Sequence, residues 1–197
     1  MHAAVVIAHP CDDSFTKELA AGVVAGLRAG HHTVDVVDLY ALGFAPAMTT
    51  AERAAYHGDE PILDPLVAVQ ASLVQRVDTL VFVYPTWWSG LPAILKGWLD
   101  RVLVPGVGFV FDERTTAVRP GLTNVRRIIG VSTYGSPRRY VRFVNDNGRR
   151  TLTRALRASC GLRTRVRWYA CYGIDTSTAA DRAEFAASVE RAMAGLR

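Results

Sequence analysis

Lysine is almost missing from this chain. Of 23 basic residues only Lys17 and Lys96 are lysine, and the net charge is +5. An arginine excess suits phosphate and carboxylate recognition, but it equally fits a coding bias in the genome, and the bias takes the larger share of the reading. Cysteine is scarce too. Cys11, Cys160 and Cys171 are an odd number without metal-like spacing, which indicates neither a disulfide framework nor a metal site. No apolar run approaches the ~20 residues a bilayer helix needs, and the opening MHAAVVIAHP has neither the charged start nor the long apolar segment of a signal peptide. No repeat, low-complexity tract or Gly/Ser linker divides the sequence. The expectation is a cytoplasmic protein without membrane insertion, folded as a single domain over residues 1–197 with half its residues hydrophobic.

What is present centres on residues 80–109, LVFVYPTWWSGLPAILKGWLDRVLVPGVGF. The apolar run from Leu80 to Tyr84 has the length and β-branched content of a strand buried on both faces. It stops at Pro85, and Thr86, Trp87, Trp88, Ser89 and Gly90 form a loop with two adjacent indoles. Pro92 suits a first helical turn, and Leu91, Ile94, Leu95, Trp98, Leu99, Val102 and Leu103 fall on one helical stripe.

The remaining elements alternate in the same way. A strand from Ala3 to Ala8 ends at His9-Pro10, a polar turn follows, and a helix runs from about Phe15 to Ala29 with Gly30 as its stop. Its first backbone N–H groups suit a phosphate without any glycine-rich signature. The second strand is Thr33 to Leu39. The segment from Tyr40 to Pro65 reads as mostly irregular, with Thr49 and Glu52 at capping-box spacing for a short helix near Ala51 to Tyr56. Asp64-Pro65 opens a helix reaching about Val77. A turn-rich segment covers Asp112 to Thr123, a fourth strand covers Arg127 to Ser132, and Thr133 to Ser136 reads as its loop. A helical region from Tyr140 to Cys160 is broken near Asn145 to Gly148. Arg165 to Cys171 alternates basic and apolar residues as an edge strand does, and Thr178 to Leu196 closes the chain as a helix.

Five strands alternating with helices predict an α/β fold, a parallel sheet with helices on both faces. In the doubly wound order 2-1-3-4-5 the loops after strands one and three meet at the switch point, with the loop after strand four beside them. A helix N-terminus, hydroxyls and two indoles would line that crevice. A flavin nucleotide, with a phosphate and a flat ring, is the ligand such a lining suits.

The blocks PTWWSGLPAILKGWLDRVLVPGVGF, HPCDDSF and STYGS resemble the flavodoxin-like NAD(P)H:quinone oxidoreductases over most of the chain. The resemblance implies a flavodoxin-like three-layer sandwich with bound FMN or FAD, and a homodimer with its sites at the subunit interface. It implies an enzyme in which NADPH or NADH reduces the flavin, leaves, and is replaced by a quinone or similar electrophilic aromatic acceptor for two-electron, ping-pong reduction. Carried over by residue, His9, Ser14, Phe15 and Thr16 match the segment around the flavin's phosphate and ribityl chain. Pro85, Thr86, Trp87, Trp88 and Ser89 match the loop along the isoalloxazine edge, and Ser132, Thr133, Tyr134 and Gly135 match the third flavin loop. Tyr140 aligns with a tyrosine that lines the pocket and can hydrogen-bond the flavin or the acceptor. The chain departs from the mammalian members at Ser89, where they carry an aromatic residue, and near Asp146, where a histidine is thought to assist proton movement.

Other readings compete. Trp98 sits on the apolar stripe and reads as core, Lys96 as a solvated helix face, and His9 as a backbone neighbour of the flavin without an acid–base role. The run Arg138, Arg139, Arg142, Arg149, Arg150, Arg154 and Arg157 reads as a solvated face and not as a nucleic-acid surface, although an arginine there could meet the 2′-phosphate of NADPH. A low-molecular-weight phosphatase would need an arginine six positions after Cys11, where the chain has Lys17. An electron-carrier flavodoxin is typically acidic, unlike this chain. A flavin-binding regulatory subunit of a transport system is the third alternative.

Overall fold

Strand β3 (Thr79–Pro85) is buried along its whole length, and the sheet is built outward from it. The computed structural model describes residues 1–112, 114–115 and 117–197. In chain order the elements are β1 (His2–Ile7), α1 (Phe15–Ala29), β2 (Thr33–Asp38), α2 (Thr50–Ala55), α3 (Pro65–Arg76), β3, α4 (Ala93–Val102), β4 (Phe109–Phe111) and β5 (Val118–Pro120). There follow β6 (Arg127–Tyr134), α5 (Arg138–Phe143), α6 (Asn147–Arg150), a π-helical stretch Thr151–Leu156, α7 (Arg157–Cys160), β7 (Arg165–Tyr172), a short 3-10 turn Ile174–Thr176 and α8 (Ala179–Ala194). The main sheet is parallel throughout, with order β2-β1-β3-β6-β7, the 2-1-3-4-5 order expected of its five strands.

The alternation within β3 divides the core. Leu80, Phe82 and Tyr84 pack with Ala4, Val6, Ile128, Trp98 and Leu152 on the α3–α4 side. Val81 and Val83 pack with Val5, Ile129, Val131, Leu19, Val189 and Met193 on the α1–α8 side. A strand buried at every position, with an apolar run from Leu80 to Tyr84, thus serves two cores at once. β7 is an edge strand, with Arg165 and Arg167 exposed.

Three expectations need correction. The fourth main strand does not end at Ser132: Thr133 and Tyr134 continue it and pair with Cys171 and Tyr172 of β7, so the loop begins at Gly135. The turn-rich segment contributes β5, which pairs antiparallel with β4. Strands of three residues are too short to show a period of two in sequence. The helical region begins at Arg138, two residues before the expected Tyr140; its break falls where expected, at Asn145 and Asp146, which take positive φ values of 75° and 44°.

The irregular segment after β2 is held by one buried cation. Arg101 of α4 is 5% exposed and donates to Glu52 Oε1 at 2.6 Å, to Asp64 Oδ2 at 2.7 Å and to the Ala45 carbonyl at 2.6 Å. Its guanidinium also lies over the Phe44 ring, 5.2 Å from the centroid. Glu52 closes the Thr49 capping box of α2, and Asp64 is the N-cap of α3, so one side chain joins three helices. Burial alone would raise the Glu52 pKa, but the Thr49 amide and Arg101 outweigh it and hold it low, while Arg101 holds Asp64 low directly.

Replacing Arg101 by Ala leaves a buried carboxylate uncompensated and should cost about 3–5 kcal/mol in urea unfolding. Because both carboxylates titrate lower in the folded chain than in the unfolded one, their contribution is complete above the ordinary carboxylate pKa. It is lost as pH falls through the lowered folded values. Arg101→Ala should therefore lose this acid-side dependence, and a mutant with wild-type stability at neutral pH would show that the clamp holds nothing.

Candidate functional site

The turns after β1, β3 and β6 lie at the carboxyl edge of the sheet, beside the point where the strand order reverses. In the first, His9 Nδ1 accepts from the Cys11 amide at 3.1 Å. Ser14 is the N-cap of α1, and its hydroxyl accepts from the Lys17 amide at 3.3 Å. Thr16 is buried and Phe15 packs into the α1–α8 core, so their side chains belong to the fold. Their backbone amides have no acceptor among the described residues. That leaves donors at the positive end of a 15-residue helix. Lys17 is tied to Asp38 and Asp12; burial would lower its pKa, but the two carboxylates raise it.

In the second turn, Trp87 and Gly90 pair through both backbone groups, at 3.3 and 3.0 Å. Trp88 and Ser89 between them have φ values of 48° and 57°, positive at both central positions as in a type I′ turn. A bulky residue at positive φ is strained, and the turn presents the Trp88 indole fully exposed. The amides of Trp88 and Ser89 have no acceptor among the described residues. Pro85 ends β3, the Thr86 amide donates to the Thr133 carbonyl at 2.8 Å, and the Thr86 and Ser132 hydroxyls share a 3.0 Å hydrogen bond. The Trp87 and His9 rings stand 5.9 Å apart, which brings the first two turns into contact.

The third wall is a polar cluster at the end of β6. Tyr134 Oη donates to Asp146 Oδ1 at 3.2 Å and accepts from Trp168 Nε1 at 3.2 Å, while its ring stacks on Tyr172 at 4.8 Å. The register makes this possible. Gly130 opposes Trp168, and a Cβ at Gly130 would lie 2.1 Å from the indole. Gly148 plays a similar part at the loop, where its Cβ would lie 3.0 Å from the Gly90 carbonyl carbon. Burial pushes the pKa of Tyr134 upward, with the Asp146 charge adding to it, and burial also raises Asp146 against the opposing pull of the Tyr134 hydrogen bond.

Between these walls is a cleft of about 250 Å³. Of the residues expected at a site, Thr86, Trp88, Ser89, Tyr134, Gly135 and Tyr140 line it. His9, Ser14, Phe15, Thr16, Pro85 and Trp87 lie outside its lining in the two adjoining turns, and Ser132 and Thr133 are buried strand residues beneath it. Sequence reasoning singled out Asp146 only as a departure from a pattern and missed Trp168. No local signal could have joined them, because their connection depends on the β6–β7 register and a left-handed Asp146.

Residues 1–196 match the family model described as the flavodoxin-like fold. A protein of Streptococcus mutans UA159 superposes with a TM-score of 0.86 at 27% identity, covering all of both chains. The NAD(P)H:quinone oxidoreductase of Methanothermobacter marburgensis superposes with a TM-score of 0.83 at 25% identity, covering 100% of this chain and 99% of the other. In sequence, the rat NAD(P)H dehydrogenase [quinone] 1 (Rattus norvegicus) is 28% identical over 153 residues, 70% of this chain and 55% of that one. The chain spans about half the length of the curated relatives it matches.

Tyr134→Phe removes the hydroxyl that joins Trp168 to Asp146 and should cost about 1–3 kcal/mol in denaturant unfolding. The raised pKa of Asp146 means that the folded chain holds its proton longer, so this group's contribution declines as pH rises from the unfolded to the folded pKa. Asp146→Asn, which keeps an acceptor for Tyr134, should gain stability relative to wild type across that window. A constant difference between the two proteins from acid to neutral pH would exclude a perturbed Asp146.

Proposed function

The chain belongs to the flavodoxin-like fold family, and from the site built on that fold we propose that it is a flavin-dependent NAD(P)H oxidoreductase reducing quinones or related electrophilic aromatics. The observation that carries the reading is the carboxyl-edge cleft, with Trp88 and Tyr140 among its walls beside two sets of unbonded backbone amides. The full-length similarity to the Methanothermobacter marburgensis quinone oxidoreductase supports it.

The residues present fit FMN or FAD. The amides of Phe15 and Thr16, at the start of α1, would hold its phosphate, with His9 and Ser14 shaping the turn. The amides of Trp88 and Ser89 would face the flat ring along the segment Pro85 to Ser89, with Trp87 braced on His9. Ser132, Thr133, Tyr134 and Gly135 would form the third side. When bound, the flavin supplies hydride transfer from NADPH or NADH to the acceptor.

The protein's own work is positional. Trp88 and Tyr140 would restrict the acceptor to a flat orientation. The Thr86–Ser132 hydroxyl pair fixes the loop against β6, and Tyr140 offers a phenol to the acceptor's oxygen. The phosphatase alternative is disfavoured by Lys17, whose ammonium is engaged by Asp38 and Asp12.

The proposal includes a single domain, a cytoplasmic location and a homodimer. No helix among the described residues is long and apolar enough to cross a membrane. Trp88 is fully exposed, Phe143 is 86% exposed, and Tyr140 and Trp87 are 49% and 42% exposed. A second copy laid over this mouth would cover those rings and complete the pocket.

Anaerobic addition of NADPH to the flavin-loaded protein should bleach its visible bands, and a quinone should restore them. A protein that takes up neither FMN nor FAD would overturn the proposal. Trp88→Ala should raise KM for acceptors severalfold with the fold intact; unchanged kinetics would remove Trp88 from the site. Phe143→Asp should shift the protein from dimer to monomer in light scattering, and a dimer that persists would place the interface elsewhere.

A further inference from the structure

The opposite end of the sheet carries a second cleft, larger than the first. It has a volume of about 860 Å³ and lies where β6 and β7 begin. Arg126, Arg127, Arg163 and Arg165 line it, and no carboxylate does. Arg127 is engaged by the Arg197 carbonyl and by Met1 Sδ. Arg126, Arg163 and Arg165 are exposed, and their guanidinium groups have no hydrogen-bond or ion-pair partner among the described residues. The nearby Asp78 uses its carboxylate on the His2 amide and the Thr79 hydroxyl.

The walls are tied together. The buried Thr164 hydroxyl donates to the Val125 carbonyl at 2.9 Å, and the Arg165 amide donates to the Arg126 carbonyl at 2.9 Å. Arg157 Nε donates to the Thr164 carbonyl at 3.0 Å and another of its nitrogens to the Leu162 carbonyl, which closes the turn that carries Arg163. Three exposed guanidiniums are thus grouped on a braced frame with no carboxylate in its lining, a setting that favours an anion.

We propose that this cleft binds a compact ligand carrying at least two phosphate groups. Guanidinium forks match phosphate oxygens two at a time, and three of them exceed what one phosphate needs. The volume lies in the range of small-molecule pockets. No aromatic ring lines it, and the arginines that could stack a base are the groups the phosphates engage, so the ligand is a non-nucleotide polyphosphate or a phosphorylated headgroup. The eight residues of β6 separate the two clefts by about 25 Å, so this ligand and the flavin do not compete for the same space.

Isothermal titration of the full chain with inorganic pyrophosphate, in the presence of saturating FMN to occupy the amides of α1, tests the site. Arg163→Ala/Arg165→Ala should weaken binding at least tenfold. Arg163→Lys/Arg165→Lys, which keeps charge and loses the forks, should fall in between. Arg138→Ala/Arg139→Ala, an equal loss of charge elsewhere, should bind as wild type. Sedimentation with phosphatidylcholine vesicles containing phosphatidylinositol 4,5-bisphosphate separates the two sources: capture that depends on Arg163 and Arg165 identifies a headgroup, and pyrophosphate binding without capture identifies a soluble ligand. Absence of pyrophosphate binding, or equal weakening in the Arg138/Arg139 variant, would overturn the proposal.

Discussion

The structure depends on a strand that has no solvent face. Because β3 is buried at every position, helices must cover both sides of the sheet, and crossover connections between parallel strands place them there. Parallel strands follow from that requirement, and with them a common carboxyl edge. Three turns that are distant in sequence are brought to one crevice by this constraint. The site needs no residue to recruit the turns; it needs residues that shape them once they have arrived.

The shaping is uneven across the crevice. The first turn contributes mainly backbone, because the side chains of Phe15 and Thr16 are committed to the core. The second is shaped by strain, with two consecutive residues at positive φ displaying an indole to solvent. The third is shaped by a side-chain network, Trp168 to Tyr134 to Asp146, that belongs to the sheet's last two strands. Arg101 acts at longer range, fixing the irregular segment after β2 to α4, the helix that the tryptophan turn leads into.

The sequence made the main sheet legible because its signals are local. An apolar run, a stripe at helical spacing and the Thr49–Glu52 capping box each announce themselves within a few residues, and the Asp64-Pro65 start and Gly30 stop sit where the helices begin and end. The end of β6 was misread because Thr133 and Tyr134 look like a loop when the partner strand is not in view. β4 and β5 were missed for want of length. At the site, the turn containing Trp87 and Trp88 was conspicuous from composition alone. The bond between Tyr134 and Asp146 was not, since it depends on a left-handed residue and on a glycine facing an indole 38 positions later. The triple contact of Arg101 was equally hidden, because its partners lie 37, 49 and 56 positions away.

A parallel sheet of five strands has two open borders, each able to template another chain. On β7 the exposed outward positions are Arg165 and Arg167, and on β2 the border carries Thr33, Asp35 and Asp38. The β2 carboxylates are already engaged, Asp35 by His2 and Arg76 and Asp38 by Lys17, so the uncompensated charge of the sheet's margins lies on β7, and a copy approaching β7 to β7 meets it. Pairing of two β7 edges is thereby opposed by side chains that contribute little to the sheet's interior.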